Sequence, residues 1–114
     1  MEIREITTPD EKQRIVRFIL ESLPDWFGIP EAREEYIEKS AAQPFFAAFD
    51  GENFVGFLYL AETGRDTAEL YVMGVLKEYH RRGVGKALFA AAKQRAKELD
   101  YSFLQVKTVQ MGKY

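Results

Sequence analysis

Val75-Leu-Lys-Glu-Tyr-His-Arg-Arg-Gly-Val-Gly-Lys86 reads as the end of a strand, a turn carrying two glycines, and a helix that opens at Ala87. Such a junction makes a cradle for phosphate. Successive main-chain N–H groups at a helix start converge on one point, and the aligned peptide dipoles add positive potential there. Gly83 and Gly85 let a ligand approach without a Cβ in the way, and Arg81, Arg82 and Lys86 place cations beside it. A Gly-x-Gly pair by itself is equally at home in a turn that merely begins a helix. Two nucleotide motifs are excluded by the neighbouring residues. A Walker-type loop needs Gly at position 80 and Ser or Thr after Lys86, where the chain has His80 and Ala87; a dinucleotide fingerprint needs Gly or Ala at position 88, where it has Leu88.

Working outward, Met1 to Ile6 alternates like a short strand, and Thr8-Pro9-Asp10 places a cap and a proline at the start of a helix. Ile15, Phe18, Ile19 and Leu23 form its expected buried stripe. Leu23-Pro24-Asp25-Trp26-Phe27-Gly28-Ile29-Pro30 interrupts the pattern, and Glu31 to about Ala41 reads as a second, acidic helix. Phe45 to Phe49 and Phe54 to Leu60 are strands of an antiparallel hairpin signalled by Asp50-Gly51. A turn near Thr63-Gly64-Arg65-Asp66 returns the chain into a third strand, Ala68 to Val75. Lys86 to Leu99 carries Leu88, Phe89, Ala92 and Ala96 at helical spacing. Ser102 to Val109 reads as a last strand, and the helical crossover makes it parallel to the one before. The fold class is α+β around one mixed sheet, an antiparallel meander followed by a parallel strand, and residues 1–114 form one domain.

Composition narrows the chemistry. A chain of 114 residues suffices for one small core. It has no cysteine and a single histidine, His80, which removes disulfides, thiol nucleophiles and multi-histidine metal sites; no metal is expected. A net charge of −2 argues against a general nucleic-acid binder. The apolar runs are only strand-length, and the first residues lack the features of a signal peptide, so a cytoplasmic protein without membrane attachment is expected. Charge is uneven: acids crowd Glu21 to Glu38, while cations cluster from Lys77 to Lys97.

His80-Arg81-Arg82-Gly83-Val84-Gly85, after a strand and before an alanine-rich helix, resembles the acetyl-coenzyme A signature of the GCN5-related N-acetyltransferase (GNAT) superfamily, Gln/Arg-x-x-Gly-x-Gly/Ala. His80 stands where Gln or Arg is usual, and Lys77 where many members have proline. The order of a helical pair, a hairpin, a long central strand, the signature helix and a following strand resembles the family from Met1 to about Val109. The resemblance implies a GNAT-like sheet and acetyl-CoA as cosubstrate. Arg81, Arg82, Gly83, Val84, Gly85 and Lys86 would hold its pyrophosphate, and the main chain of Met73, Gly74 and Val75 would pair with its pantetheine arm. An amide from that segment would polarise the thioester carbonyl. Gly74 reads as a bulge, a close backbone approach, or simply a tolerated strand glycine.

The implied reaction moves an acetyl group to a primary amine by direct attack in a ternary complex. An ammonium nitrogen has no lone pair, so the acceptor must lose a proton, and a carboxylate nearby would take it. Glu69 is the candidate base: in a regular strand it shares a face with Tyr71, Met73 and Val75. Its distance from the signature is similar to that of the base glutamate in the histone-acetylating branch. Trp26 and Phe27 lie in the loop that helps wall the acceptor site in relatives, although packing on the core is the plainer reading. His80 reads as a turn residue or phosphate neighbour, not a catalyst.

Family members usually continue into another helix and a closing hairpin, which commonly carries the tyrosine that protonates the departing thiolate. This sequence ends at Tyr114, outside that context. A domain truncated at its C-terminus is therefore expected, with a bare sheet edge that a second copy would cover in a homodimer. A noncatalytic acyl-CoA-binding or assembly module is the alternative. Peptide and small-molecule amines both stay open as acceptors.

Overall fold

The computed structural model describes residues 1–106. The far end of the expected last strand, 107–109, and Tyr114 lie outside the described residues. Elements run β1 (Glu2–Ile6), α1 (Pro9–Glu21), α2 (Pro30–Ser40), β2 (Phe45–Asp50), β3 (Asn53–Glu62), β4 (Thr67–Val75), a 3-10 turn (Lys77–Tyr79), α3 (Val84–Glu98) and β5 (Phe103–Val106). One sheet has the order β1-β2-β3-β4-β5, antiparallel until the last pair, where β4 and β5 run parallel across the α3 crossover. This is the expected mixed sheet.

Helices cover both faces. On one, α1 and α2 pack on Phe45, Ala47, Phe57, Tyr59 and Val72. On the other, Val84, Leu88, Ala92 and Ala96 of α3 meet Phe46, Ala48, Leu58 and Leu60. Burying each large apolar side chain contributes about 1.5–3 kcal/mol, so these two faces supply the main driving force for folding. Phe45, Phe57 and Tyr59 stack at 5.6–6.3 Å between centroids, forming an aromatic floor under α1 and α2.

Pro9 sits in the first turn of α1 with Asp10 and Glu11, where a missing N–H costs nothing and negative charge is favoured. Its buried face is Ile15, Val16, Ile19 and Leu20. Phe18, expected in that stripe, is half exposed and meets Phe54 edge-on at 5.3 Å. At 100° per residue Phe18 falls well outside the arc that those four side chains define. The α1–α2 junction is fixed by Lys12, whose buried ammonium donates to the carbonyls of Ala41 (3.3 Å) and Gln43 (2.7 Å) just past α2. Burial lowers the pKa of this amine below that of a free lysine. On the surface, Arg17 holds Glu34 through a bidentate pair at 2.8 and 2.9 Å. The hydrogen bonds from Arg17 lower the Glu34 pKa, although solvent screens an exposed pair of this kind.

Three expected boundaries shift. The hairpin loop is Gly51-Glu52, with Asp50 paired to Asn53, so Asp50 belongs to the strand and Gly51 (φ 65°) takes the first loop position. Helix α3 begins at Val84, because the first turn includes residues whose N–H groups have no helical partner. The largest change is in β4. Tyr59 pairs with Val72 and Leu60 with Leu70, leaving Tyr71 as an extra residue in a bulge. Side-chain alternation inverts there. Glu69 pairs with Ala61 on the α1–α2 face, which Tyr71 also joins, whereas Met73 and Val75 pair with Leu58 and Gly56 and pack toward α3. Glu69 therefore shares a face with Tyr71 but not with Met73 and Val75.

The bulge is at Tyr71, and Gly74 is instead a point of close approach. A Cβ built on Gly74 would lie 3.0 Å from Phe57 Cε1 and 3.1 Å from Ile19 Cγ2. Replacing Gly74 with Ala should overpack this contact and lower stability by about 1–3 kcal/mol in urea unfolding. An unchanged midpoint would show that α1 does not rest on this glycine.

Candidate active site

Among the described residues the ladder between β4 and β5 pairs Thr67–Leu70 with Phe103–Val106. Beyond it the phase of β4 is set by one hydrogen bond, from Leu76 N–H to the Val55 carbonyl at 2.8 Å. That bond makes Val75 and Gly56 a non-hydrogen-bonded pair, and by alternation Met73 and Leu58 as well. The N–H and C=O groups of Met73 and Val75 consequently point away from β3, toward the side where the described residues give them no strand. Gly74 points its main-chain groups into the β3 ladder.

A cavity of about 250 Å³ opens at this end of β4, lined by Met73, Val75, Tyr79, His80, Arg81, Gly83, Val84, Gly85 and Lys86. Its floor is apolar and its rim is the start of α3. Gly83 precedes the helix with φ 78°, and no side chain caps the first turn, which also contains no acid. The first intrahelical bond runs from Ala87 N–H to the Gly83 carbonyl at 3.0 Å. The N–H groups of Val84, Gly85 and Lys86 are left without partners inside the helix, the arrangement that favours an anion. Arg81 also adopts a positive φ of 65°, so two residues of the turn occupy the left-handed region.

The candidate cofactor residues thus come together with two differences. Arg82 does not line the cavity; its guanidinium lies 5.3 Å from the Tyr79 ring centroid. Gly74 faces Phe57 and Ile19. Tyr79 and His80, one not singled out and the other read as a turn residue, both line the cavity. Tyr79 O–H donates to Asp50 at 2.6 Å, tying the 3-10 turn to the β2–β3 hairpin, and this bond raises the phenol pKa. His80 Nε2 lies 2.7 Å from the Val75 carbonyl. No local pattern signals the first contact, which joins residues that the fold alone brings together, whereas the second closes within the turn itself, between residues five apart.

Glu69 is half-buried on the opposite face of the sheet. Around that face, Tyr71 meets Tyr59 at 5.6 Å and Tyr36 at 5.8 Å, and the Lys39 ammonium lies 4.5 Å from the Tyr71 ring centroid. Tyr59 O–H donates to the Tyr36 carbonyl at 2.8 Å, fixing α2 to the sheet; burial drives the pKa of this phenol well above its ordinary value. Phe27 is buried in the same core, and Trp26 packs against His80 at 5.5 Å. Among the described residues no cluster of His, Cys, Asp or Glu is placed to hold a metal, and no helix is long and apolar enough to cross a membrane.

A Cβ on Gly83 would meet nothing within 4 Å, so backbone strain alone opposes a side chain there. Replacing Gly83 with Ala should cost about 1–2 kcal/mol in thermal unfolding, and Asn less. Equal midpoints for all three proteins would contradict the left-handed turn.

A model of the acetyltransferase (GNAT) family matches residues 10–112. A putative GNAT-family acetyltransferase from Desulfovibrio desulfuricans has a similar fold, with TM-score 0.77 and 19% identity over 96% of this chain and 75% of that one. Ribosomal-protein-alanine N-acetyltransferase from Brucella melitensis biovar Abortus 2308 gives 0.74 and 18%, over 96% and 80%. PaiA N-acetyltransferase from Thermoplasma acidophilum, solved in complex with coenzyme A, gives 0.71 and 18%, over 96% and 81%. No curated protein sequence matches significantly.

Proposed function

The chain belongs to the GNAT acetyltransferase family, and on that premise we propose how its two sheet faces carry out acetyl transfer to a primary amine. It is an N-acetyltransferase with acetyl-CoA as cosubstrate. The observation that carries the proposal is the uncapped start of α3 opening onto the same cavity as Met73 and Val75.

In this reading the N–H groups from Gly83 to Lys86 receive the pyrophosphate, with Arg81 and Lys86 adding charge at the rim and Arg82 acting from farther off. Charge-assisted hydrogen bonds of this sort are about twice as strong as neutral ones. The outward main-chain groups of Met73 and Val75 take the pantetheine amides as an added strand would, and one of these N–H groups polarises the thioester carbonyl. Gly74 serves by letting β4 lie close to α1.

The amine enters from the α1–α2 face. Its nitrogen attacks the thioester carbonyl carbon; the C–N bond forms, the C–S bond breaks, and coenzyme A leaves as the thiolate. Glu69 accepts the proton the amine gives up, and no residue of the protein is acylated. Glu69 suits this role because the bulge sets it on the face opposite the phosphate turn, the face that α1 and α2 cover. The acceptor is a small-molecule or peptide amine, and the site of action is the cytoplasm.

Calorimetric titration with coenzyme A should register binding, and replacing Lys86 with Glu should weaken it by about tenfold, more at low salt than at high. No heat with the unaltered protein would overturn the proposal. Thiol release from acetyl-CoA with a panel of amines supplies the activity assay. Glu69→Gln should lower kcat by about 10²–10⁴ while coenzyme A affinity stays unchanged. Full activity in that variant would remove Glu69 from the mechanism.

A further inference from the structure

We infer that His80 is a positioning residue that couples filling of the phosphate turn to the α1–α2 loop, through a clasp made of the Val75 carbonyl, the His80 ring and the Trp26 indole. The inference rests on the proposed reading of the turn as the coenzyme A site.

The Val75 carbonyl is one of the groups that point off β3 toward the open side of β4. A carbonyl only accepts, so the 2.7 Å contact requires His80 Nε2 to carry hydrogen. Among the described residues His80 thereby takes the Val75 carbonyl, leaving the outward groups of Met73 and the Val75 N–H for a ligand. The same ring meets Trp26 edge-to-face, 5.5 Å between centroids at 80°. Lys77 reaches the same indole from the preceding turn, its ammonium 5.9 Å from the ring centroid. The first residue of the 3-10 turn and the residue just after it thus hold one side chain of a loop that is distant in sequence.

That loop is anchored at its other end. Trp26 and Phe27 both donate their N–H groups to the Leu23 carbonyl, at 3.1 and 2.9 Å. Phe27 is buried and meets Tyr36 edge-on at 6.1 Å, and Tyr36 meets Tyr71 at 5.8 Å. Ring contacts therefore run from His80 to Trp26 and from Phe27 through Tyr36 to Tyr71 on the face that carries Glu69, and the backbone between Trp26 and Phe27 joins the two runs. An anion drawn into the N–H groups of Arg81 to Lys86 acts on the residue next to His80, and the ring transmits that shift to the loop. Contact alone does not establish coupling, which must be measured as an energy or a signal between the two ends.

Trp26 is the sole tryptophan, so its fluorescence reports the clasp directly. Coenzyme A is titrated into the full chain and followed in parallel by calorimetry and by tryptophan emission. The unaltered protein should show a saturable emission change whose midpoint matches the calorimetric Kd. His80→Ala should still bind, about three- to tenfold more weakly, and lose most of the emission change. His80→Gln, which restores a donor to the Val75 carbonyl, should bind within about twofold of the original. In a double-mutant cycle on Kd, Trp26→Ala and His80→Ala together should be less damaging than the sum of the two changes. Heat of binding with a silent Trp26, a full emission change in His80→Ala, or strict additivity would each overturn the clasp while leaving the coenzyme A site intact. Absence of heat in the unaltered protein would overturn both.

Discussion

At Tyr71 one strand of the sheet carries a residue more than its neighbour, and that mismatch sets which side chains of β4 face α1 and α2 and which face α3. Because side chains alternate with a period of two, a single inserted residue exchanges the two faces for everything beyond it. Glu69 and the glycine turn come from one strand and the loop that follows it, yet they lie on opposite sides of the sheet. Among the described residues β4 pairs with β5 from Thr67 to Leu70, just before the place where the faces exchange. A bulge weakens a strand locally; here the cost is offset by the aromatic floor of Phe45, Phe57 and Tyr59 on one side and by Leu88 and Ala92 of α3 on the other.

The electrostatics follow from backbone placement more than from net charge. The protein as a whole is slightly acidic, but the first turn of α3 has no acid, no side-chain cap and two flanking residues with positive φ. Partial charges on unpaired N–H groups act over a few ångströms, a range in which the acids of α2, on the far face, have little influence. The cations of the turn divide their roles: Arg81 and Lys86 lie at the cavity, and Arg82 covers Tyr79.

Much of this was legible beforehand. The turns, the strand-turn-helix junction and the parallel crossover all depend on residues close together in sequence, and the glycines and prolines between Leu23 and Pro30 or at Gly51 punctuate the chain where the structure does. The resemblance carried by Arg81 to Lys86 led to the family that the match over residues 10–112 establishes. What local reading could not supply was the face of Glu69, the contact of Gly74 with Ile19, the bond from Tyr79 to Asp50, and the packing of Trp26 on His80. Each depends on where a second element lies, and no periodicity within one element records that.

By itself, then, the order of residues determined the elements, their sequence along the chain, and the left-handed glycine turn that begins α3, because these follow from short-range sterics and hydrogen bonding. Only the tertiary structure decided that Tyr71 is extruded from the ladder, that Gly74 lies against Ile19, and that Trp26 reaches across to meet the His80 ring. Those outcomes balance strand register against the packing of α1, α2 and α3 on two faces at once, and that balance exists only when the whole sheet is assembled.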